Sequence, residues 1–181
     1  MERQVLLACD DSGAFGGQYV EREAAHTGAG VRHLAIAVLL WSARGEVLLQ
    51  KRKHRLFDGL WDVSGATHPL HRGDQPDETP EEATARCLER EYGLTGLQVQ
   101  EIGAFNYYAQ DSERCENEHC LLFIAQYDGE VVASDEVAYG CQWVPLAELF
   151  LGVAQHPERY TPWAIESVPL LRATEIARQA S

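Results

Sequence analysis

Two carboxylates two residues apart open an otherwise apolar run, Glu116-Asn117-Glu118-His119-Cys120-Leu121-Leu122-Phe123-Ile124. In an extended strand, alternation places Glu116 and Glu118 on one face and Asn117 on the other. Carboxylates held side by side repel one another, so a buried pair needs a cation or a shared proton. That chemistry belongs to metal sites and to acid–base catalysis, and three isolated histidines upstream, His26, His33 and His68, could complete it. An edge strand with a solvated acidic start would carry the same doublet.

A second chemical signal is Lys51-Arg52-Lys53-His54-Arg55, which holds four of the fifteen basic residues of the chain. A charge run at a strand end is often only a solvated loop. In a chain of formal charge −13, however, it is the one obvious patch for an anion. That net charge argues against general binding to nucleic acid or to anionic membranes. An anionic substrate remains compatible, provided metal ions and a local basic cluster receive it.

The elements that must position these residues can be read in order. A chain of 181 residues, 45% hydrophobic and 24% charged, suits one soluble domain with a sizeable core. Val5 to Cys9 reads as a strand, Asp10-Asp11-Ser12-Gly13 as a turn that Gly16-Gly17 extends, and Tyr19 to Ala25 as one or two helical turns. Leu34 to Trp41 is apolar enough for a strand buried on both faces, returning through Ser42–Gly45 as the strand Glu46 to Gln50. Trp61 to Ala66 reads as one short strand. Thr79-Pro80-Glu81-Glu82 carries a full helix start, and the helix runs to Tyr92 with Gly93 as its stop. Ala85, Leu88 and Tyr92 are its expected core face, with Arg86, Arg90 and Glu91 on its polar sides. Leu97 to Tyr108, His119 to Tyr127 and Gln142 to Val144 follow as strands. A helix from Pro145 to about Leu151 and another from Thr161 to about Arg178 close the pattern. Strands and hairpins interleaved with single helices predict a mixed-sheet α/β or α+β sandwich. Five cysteines in no compact spacing, and no signal-peptide or membrane-length apolar stretch, point to reduced thiols in the cytoplasm.

The helix ending Arg86-Cys87-Leu88-Glu89-Arg90-Glu91-Tyr92-Gly93-Leu94 resembles a degenerate nudix box, keeping Glu91 where the hydrolase form has acids also at the positions of Cys87 and Arg90. The wider pattern resembles one nudix branch, the type I isopentenyl-diphosphate isomerases. Arg32-His33-Leu34-Ala35, Leu60-Trp61 with His68-Pro69, Glu116-Asn117-Glu118 with Cys120, and Trp163 occur in order. The resemblance implies a nudix α/β/α sandwich, its core at about residues 30–155, with N- and C-terminal extensions completing the site. It implies His26, His33, His68, Glu116 and Glu118 as ligands of Mn²⁺ or Zn²⁺, and Glu91 as a ligand of a Mg²⁺ shared with the substrate diphosphate. Arg22, Arg52 and Arg55 are then the expected diphosphate contacts. Glu118 and Tyr107 become the acid–base pair on one face of the substrate, and Trp163 the ring facing a carbocation.

Two positions depart from that pattern. Cys87 stands where the family commonly has a substrate-binding arginine, and Ala66 stands where it has a catalytic cysteine. An alanine methyl carries no proton. Ser64 on the same strand face, water, or a thiol remote in sequence (Cys87, Cys115, Cys120 or Cys141) would have to fill the gap. Three readings follow: an isopentenyl-diphosphate isomerase or a divergent relative, a diphosphohydrolase using metal-activated water, and a non-catalytic prenyl-diphosphate binding protein. In each the partner is a small diphosphate, and nothing in the pattern specifies an oligomeric state.

Overall fold

The computed structural model describes residues 4–174. Strand β1 (Val5–Cys9) pairs antiparallel with β2 (Phe15–Glu21), and helix α1 (Arg22–Ala25) follows at once. Gly16 and Gly17, expected in a turn, lie inside β2, as do Tyr19 to Glu21. Asp10 explains the difference: its carboxylate takes the amides of Ser12 and Ala14 and closes the turn before Phe15.

The apolar run predicted as a doubly buried strand is β3 (His33–Trp41), the centre of the molecule. It pairs in parallel with β8 (Arg114–Gln126) over nine positions, from His33 opposite Glu118 to Trp41 opposite Gln126. On the far side of β8 runs β7 (Gln100–Asp111), antiparallel, with Tyr107 opposite Glu118. The segment expected as one strand from Trp61 to Ala66 is two, because the chain changes partners. The first, β5 (Trp61–Asp62), pairs with β4 (Glu46–Arg52), and β6 (Gly65–Thr67) pairs with β3. Strand β9 (Ala138–Pro145) pairs along the other edge of β4.

Helix α2 (Pro80–Tyr92) covers one face of this mixed sheet over Ile36, Val38, Leu40 and Phe123. Its start is as predicted: Thr79 Oγ1 accepts from Glu82 N, the Glu82 side chain accepts from Thr79 N, and Gly93 ends the helix at φ 68°. Its buried face differs from the expected one. Ala83, Thr84, Cys87, Leu88 and Glu91 face inward and Ala85 is exposed. The helix approaches β6 at Gly65, where an added Cβ would lie 2.8 Å from Cys87 Sγ and 3.1 Å from Glu91 Oε2. Close approach to a residue without a side chain rolls Cys87 and Glu91 into the interior.

The opposite face is covered by α3 (Leu146–Gln155) and α4 (Pro162–Arg172), around Leu39, Leu122, Leu149, Trp163 and Leu171. Helix α3 runs one turn past the expected Leu151. Helix α4 stops at Arg172, and the rest of the run expected to Arg178 falls partly outside the described residues. Helices on both faces of a curled mixed sheet make the predicted α/β/α sandwich. No helix among the described residues is long and apolar enough to cross a membrane.

Candidate active site

The N-terminal part of β8 brings the two glutamates to the histidines. Glu118 sits opposite His33 on β3 and opposite Tyr107 on β7. Glu116 lies one pleat further out, where it meets His26 from the C-terminal end of α1. His68 enters from the segment after β6, its Nε2 2.8 Å from Glu118 Oε1. One donor atom from each of His26, His33, His68, Glu116 and Glu118 lies within 4.8 Å of every other.

The ring orientations fit a metal ion. His26 Nδ1 bonds the Arg22 carbonyl and His33 Nδ1 bonds the Val31 carbonyl, each at 2.7 Å. A carbonyl cannot donate, so Nδ1 carries the proton and Nε2 of the neutral ring turns its lone pair inward. His26 Nε2 is 2.9 Å from Glu116 Oε2, and His33 Nε2 is 3.5 Å from Glu118 Oε1. Yet His26 Nε2, His33 Nε2 and Glu116 Oε2 are buried with no hydrogen bond of acceptable geometry. Lone pairs converging in a buried space call for a cation or a shared proton between them, and mixed imidazole–carboxylate donors are a set that divalent ions accept. Without an ion, burial lowers the proton affinity of His26, but Glu116 beside it outweighs this and the net shift is upward. Burial, with His33 and His26 alongside, drives His68 well below the ordinary imidazole range.

A cavity of about 370 Å³ opens beside this cluster, lined by Ala66, Tyr107, Glu118, Cys120 and Trp163 among others. The Tyr107 hydroxyl donates to Glu118 Oε2 at 2.5 Å. Burial and the Glu118 charge push Tyr107 well above the ordinary phenol range. Burial raises the proton affinity of Glu118, but a proton on His33 beside it and the Tyr107 hydrogen bond outweigh this, and the net shift is downward. Two small residues of the cavity lining, Cys120 and Ala66, lie opposite Ala35 and Ala37 of β3. Of the four thiols considered for the gap at Ala66, Cys120 lines this cavity. Ser64 does not fill the gap. It lies outside β6, and its hydroxyl is committed between Leu40 N at 2.8 Å and the Leu48 carbonyl at 2.7 Å.

Four contributors were hidden in the sequence. Asp62, fully buried, accepts from Trp163 Nε1 at 2.5 Å, from Thr161 Oγ1 at 3.0 Å and from Arg52 at 3.3 Å. Its signal was a charge inside an apolar strand, Trp61-Asp62-Val63. His54, read only as part of the basic run, lies between Arg22 at 3.4 Å and Arg52 at 3.1 Å. Burial and those two guanidinium groups lower it to about 4. Arg90 and Gln50 both bond Glu91, and both line the cavity. Arg22 and Arg52 also line it, whereas Arg55 lines the adjoining cavity with Arg22, His54 and Arg90. Arg52 also stacks on Trp163, 4.8 Å from the ring centroid.

Comparison with known proteins places this geometry. The NUDIX domain model matches residues 31–169. The chain is similar to the isopentenyl-diphosphate Delta-isomerase of Roseobacter denitrificans, 36% identical over 80% of this chain and 81% of that protein. The isomerase of the same name from Serratia proteamaculans is 27% identical over 99% of this chain and 97% of its own length. The fold is similar to a crystal structure from Deinococcus radiodurans, with a TM-score of 0.71 and 19% identity over 91% of this chain and 97% of that one. It also resembles a MutT protein of Methanosarcina mazei, TM-score 0.59 and 20% identity over 82% and 94% of the two chains. The chain therefore belongs to the NUDIX domain family, within the enzymes of isopentenyl-diphosphate isomerase type.

Proposed function

We propose that this chain isomerises isopentenyl diphosphate to dimethylallyl diphosphate, or acts on a close analogue, using one divalent ion in the histidine–glutamate cluster. The observation that carries the reading is the single cavity shared by Glu118, Tyr107 and Trp163 beside that cluster. An ion bound there supplies positive charge that holds Glu118 ionised and in place. Double-bond migration adds a proton to one carbon and removes one from another. Tyr107 and Glu118, 2.5 Å apart, form a relay that can give or take a proton on one face of the substrate. The Trp163 ring lines the same space, where its π-density stabilises positive charge developing on the tertiary carbon. Ala66 itself offers no ionisable group, so the proton on that face exchanges with water or with the Cys120 thiol, which lines the same cavity.

The hydrolase reading is weaker. Metal-activated attack on a diphosphate calls for carboxylates on α2, and the one present, Glu91, is already held by Arg90 and Gln50.

The test is incubation of the metal-loaded protein with isopentenyl diphosphate in heavy water, following deuterium in carbon and released phosphate together. Deuterium without phosphate is expected. Phosphate without deuterium would establish the hydrolase instead, and binding with neither would establish a non-catalytic diphosphate binder.

A further inference from the structure

The surroundings of Glu91 do not fit a second metal ion. Its side chain is buried and both oxygens face donors. Oε1 accepts from Arg90 at 2.6 Å and lies 3.3 Å from Cys87 Sγ, and Oε2 accepts from the Gln50 amide at 3.0 Å. A Mg²⁺ ligand needs an exposed oxygen lone pair and room for the hydration waters that the ion keeps. Here a guanidinium occupies that position.

We propose that Arg90, ion-paired to Glu91, performs at the substrate diphosphate the charge neutralisation that a second divalent ion would otherwise supply, so that the chain binds a diphosphate with one metal ion. The inference rests on the diphosphate reading above. Three guanidinium groups, Arg22, Arg52 and Arg90, line one cavity with His54, which lies within reach of both Arg22 and Arg52. Helix α2 contributes its cation one position before Glu91, while the position that could carry another, Cys87, points inward. The Arg90 side chain remains partly exposed, so the bond to Glu91 leaves other guanidinium N–H groups to reach phosphate oxygens.

The test uses inorganic pyrophosphate as the probe with the full, Mn²⁺-loaded chain. Equilibrium dialysis with and without saturating pyrophosphate should give one Mn²⁺ per chain in both cases, and calorimetry in Mg²⁺-free buffer should show pyrophosphate binding. Arg90→Ala should keep its one Mn²⁺, which reports an intact fold, while losing at least about tenfold in pyrophosphate affinity, as expected for one charge-assisted contact. A second Mn²⁺ recruited by pyrophosphate in the unchanged chain would overturn the inference and leave the diphosphate reading standing. So would an Arg90→Ala affinity equal to that of the unchanged chain. Absence of pyrophosphate binding to the unchanged, Mn²⁺-loaded chain would overturn the diphosphate reading itself, and this inference with it.

Discussion

Trp163 and Asp62, 101 residues apart in the chain, meet through an indole N–H donated to a carboxylate at 2.5 Å. That carboxylate fixes the ring edge-on, draws Arg52 over its face and is itself fully buried. Burial raises Asp62 from 3.8 to about 6, against the pull of Arg52 and Thr161.

A raised carboxyl pKa means that the native state holds its proton when the unfolded chain has released it, so folding stability falls as pH rises from about 4 to about 6. A shift of that size corresponds to roughly 3 kcal/mol. Asp62→Asn should remove this fall, gaining on the unchanged chain across that window, while its amide oxygen still accepts from Trp163. Urea unfolding from pH 4 to 7 with tryptophan fluorescence checks it. Parallel pH profiles for the two proteins would count against the assignment.

Ala66→Cys should increase isomerisation several-fold or more. The methyl lies on the cavity wall across β3 from the strand of Glu118, where a thiol would supply the missing proton donor. Turnover of isopentenyl diphosphate measures it. No gain would show that another group already serves that face.

Glu116→Gln should weaken metal binding by at least about tenfold, since it removes a charged oxygen ligand from a buried shell. Acid should do the same to the unchanged chain. His26 is held above the ordinary imidazole value of 6.5, so protons compete with the ion there as pH falls, while His68 stays neutral. Affinity should drop by up to about tenfold per pH unit below that point, because one proton is exchanged for the ion. Competition with a chelator of known affinity between pH 5 and 8 reads both effects.

Arg86→Ala should damage the metal centre from a distance. Arg86 grips buried Glu78 with two nitrogens at 2.8 Å and donates to the His68 carbonyl at 2.9 Å, while Leu70 N donates to the same glutamate at 3.1 Å. Truncation strips the buried Glu78 carboxylate of its two-nitrogen partner and leaves it only Arg72 at 3.2 Å and the Leu70 amide, a loss of about 1–3 kcal/mol in stability. Metal affinity should fall in the same variant, because the segment carrying His68 loses its anchor. Thermal unfolding with and without Mn²⁺ separates the two losses.

What could be read before folding was what is local or periodic. The capping box of α2 involves residues three apart, and β8 announces itself by alternation. The inward face of α2 was misjudged because it depends on Gly65, a residue of another strand that admits the helix closely. Gly16 and Gly17 looked like turn residues because glycine favours turns; they sit instead where β2 shifts register against β1, with Gly17 at φ 81°. Asp62, His54 and Arg90 kept their roles hidden because each role lies in a partner on another element or in a shared cavity. Ser64 shows the converse: a hydroxyl placed well by spacing is already spent on the backbone of β3 and β4.

The pocket draws on α1, β3, β6, β7, β8 and α4, so its order of appearance during synthesis matters. His26, His33 and His68 emerge from the ribosome well before the glutamates of β8, and Trp163 emerges later still. An early nascent chain thus presents three imidazoles without the carboxylates that stand beside them in the fold. The five-residue cluster is complete only once β8 pairs alongside β3. The cavity wall needs a still later segment, α4, whose Trp163 bonds Asp62.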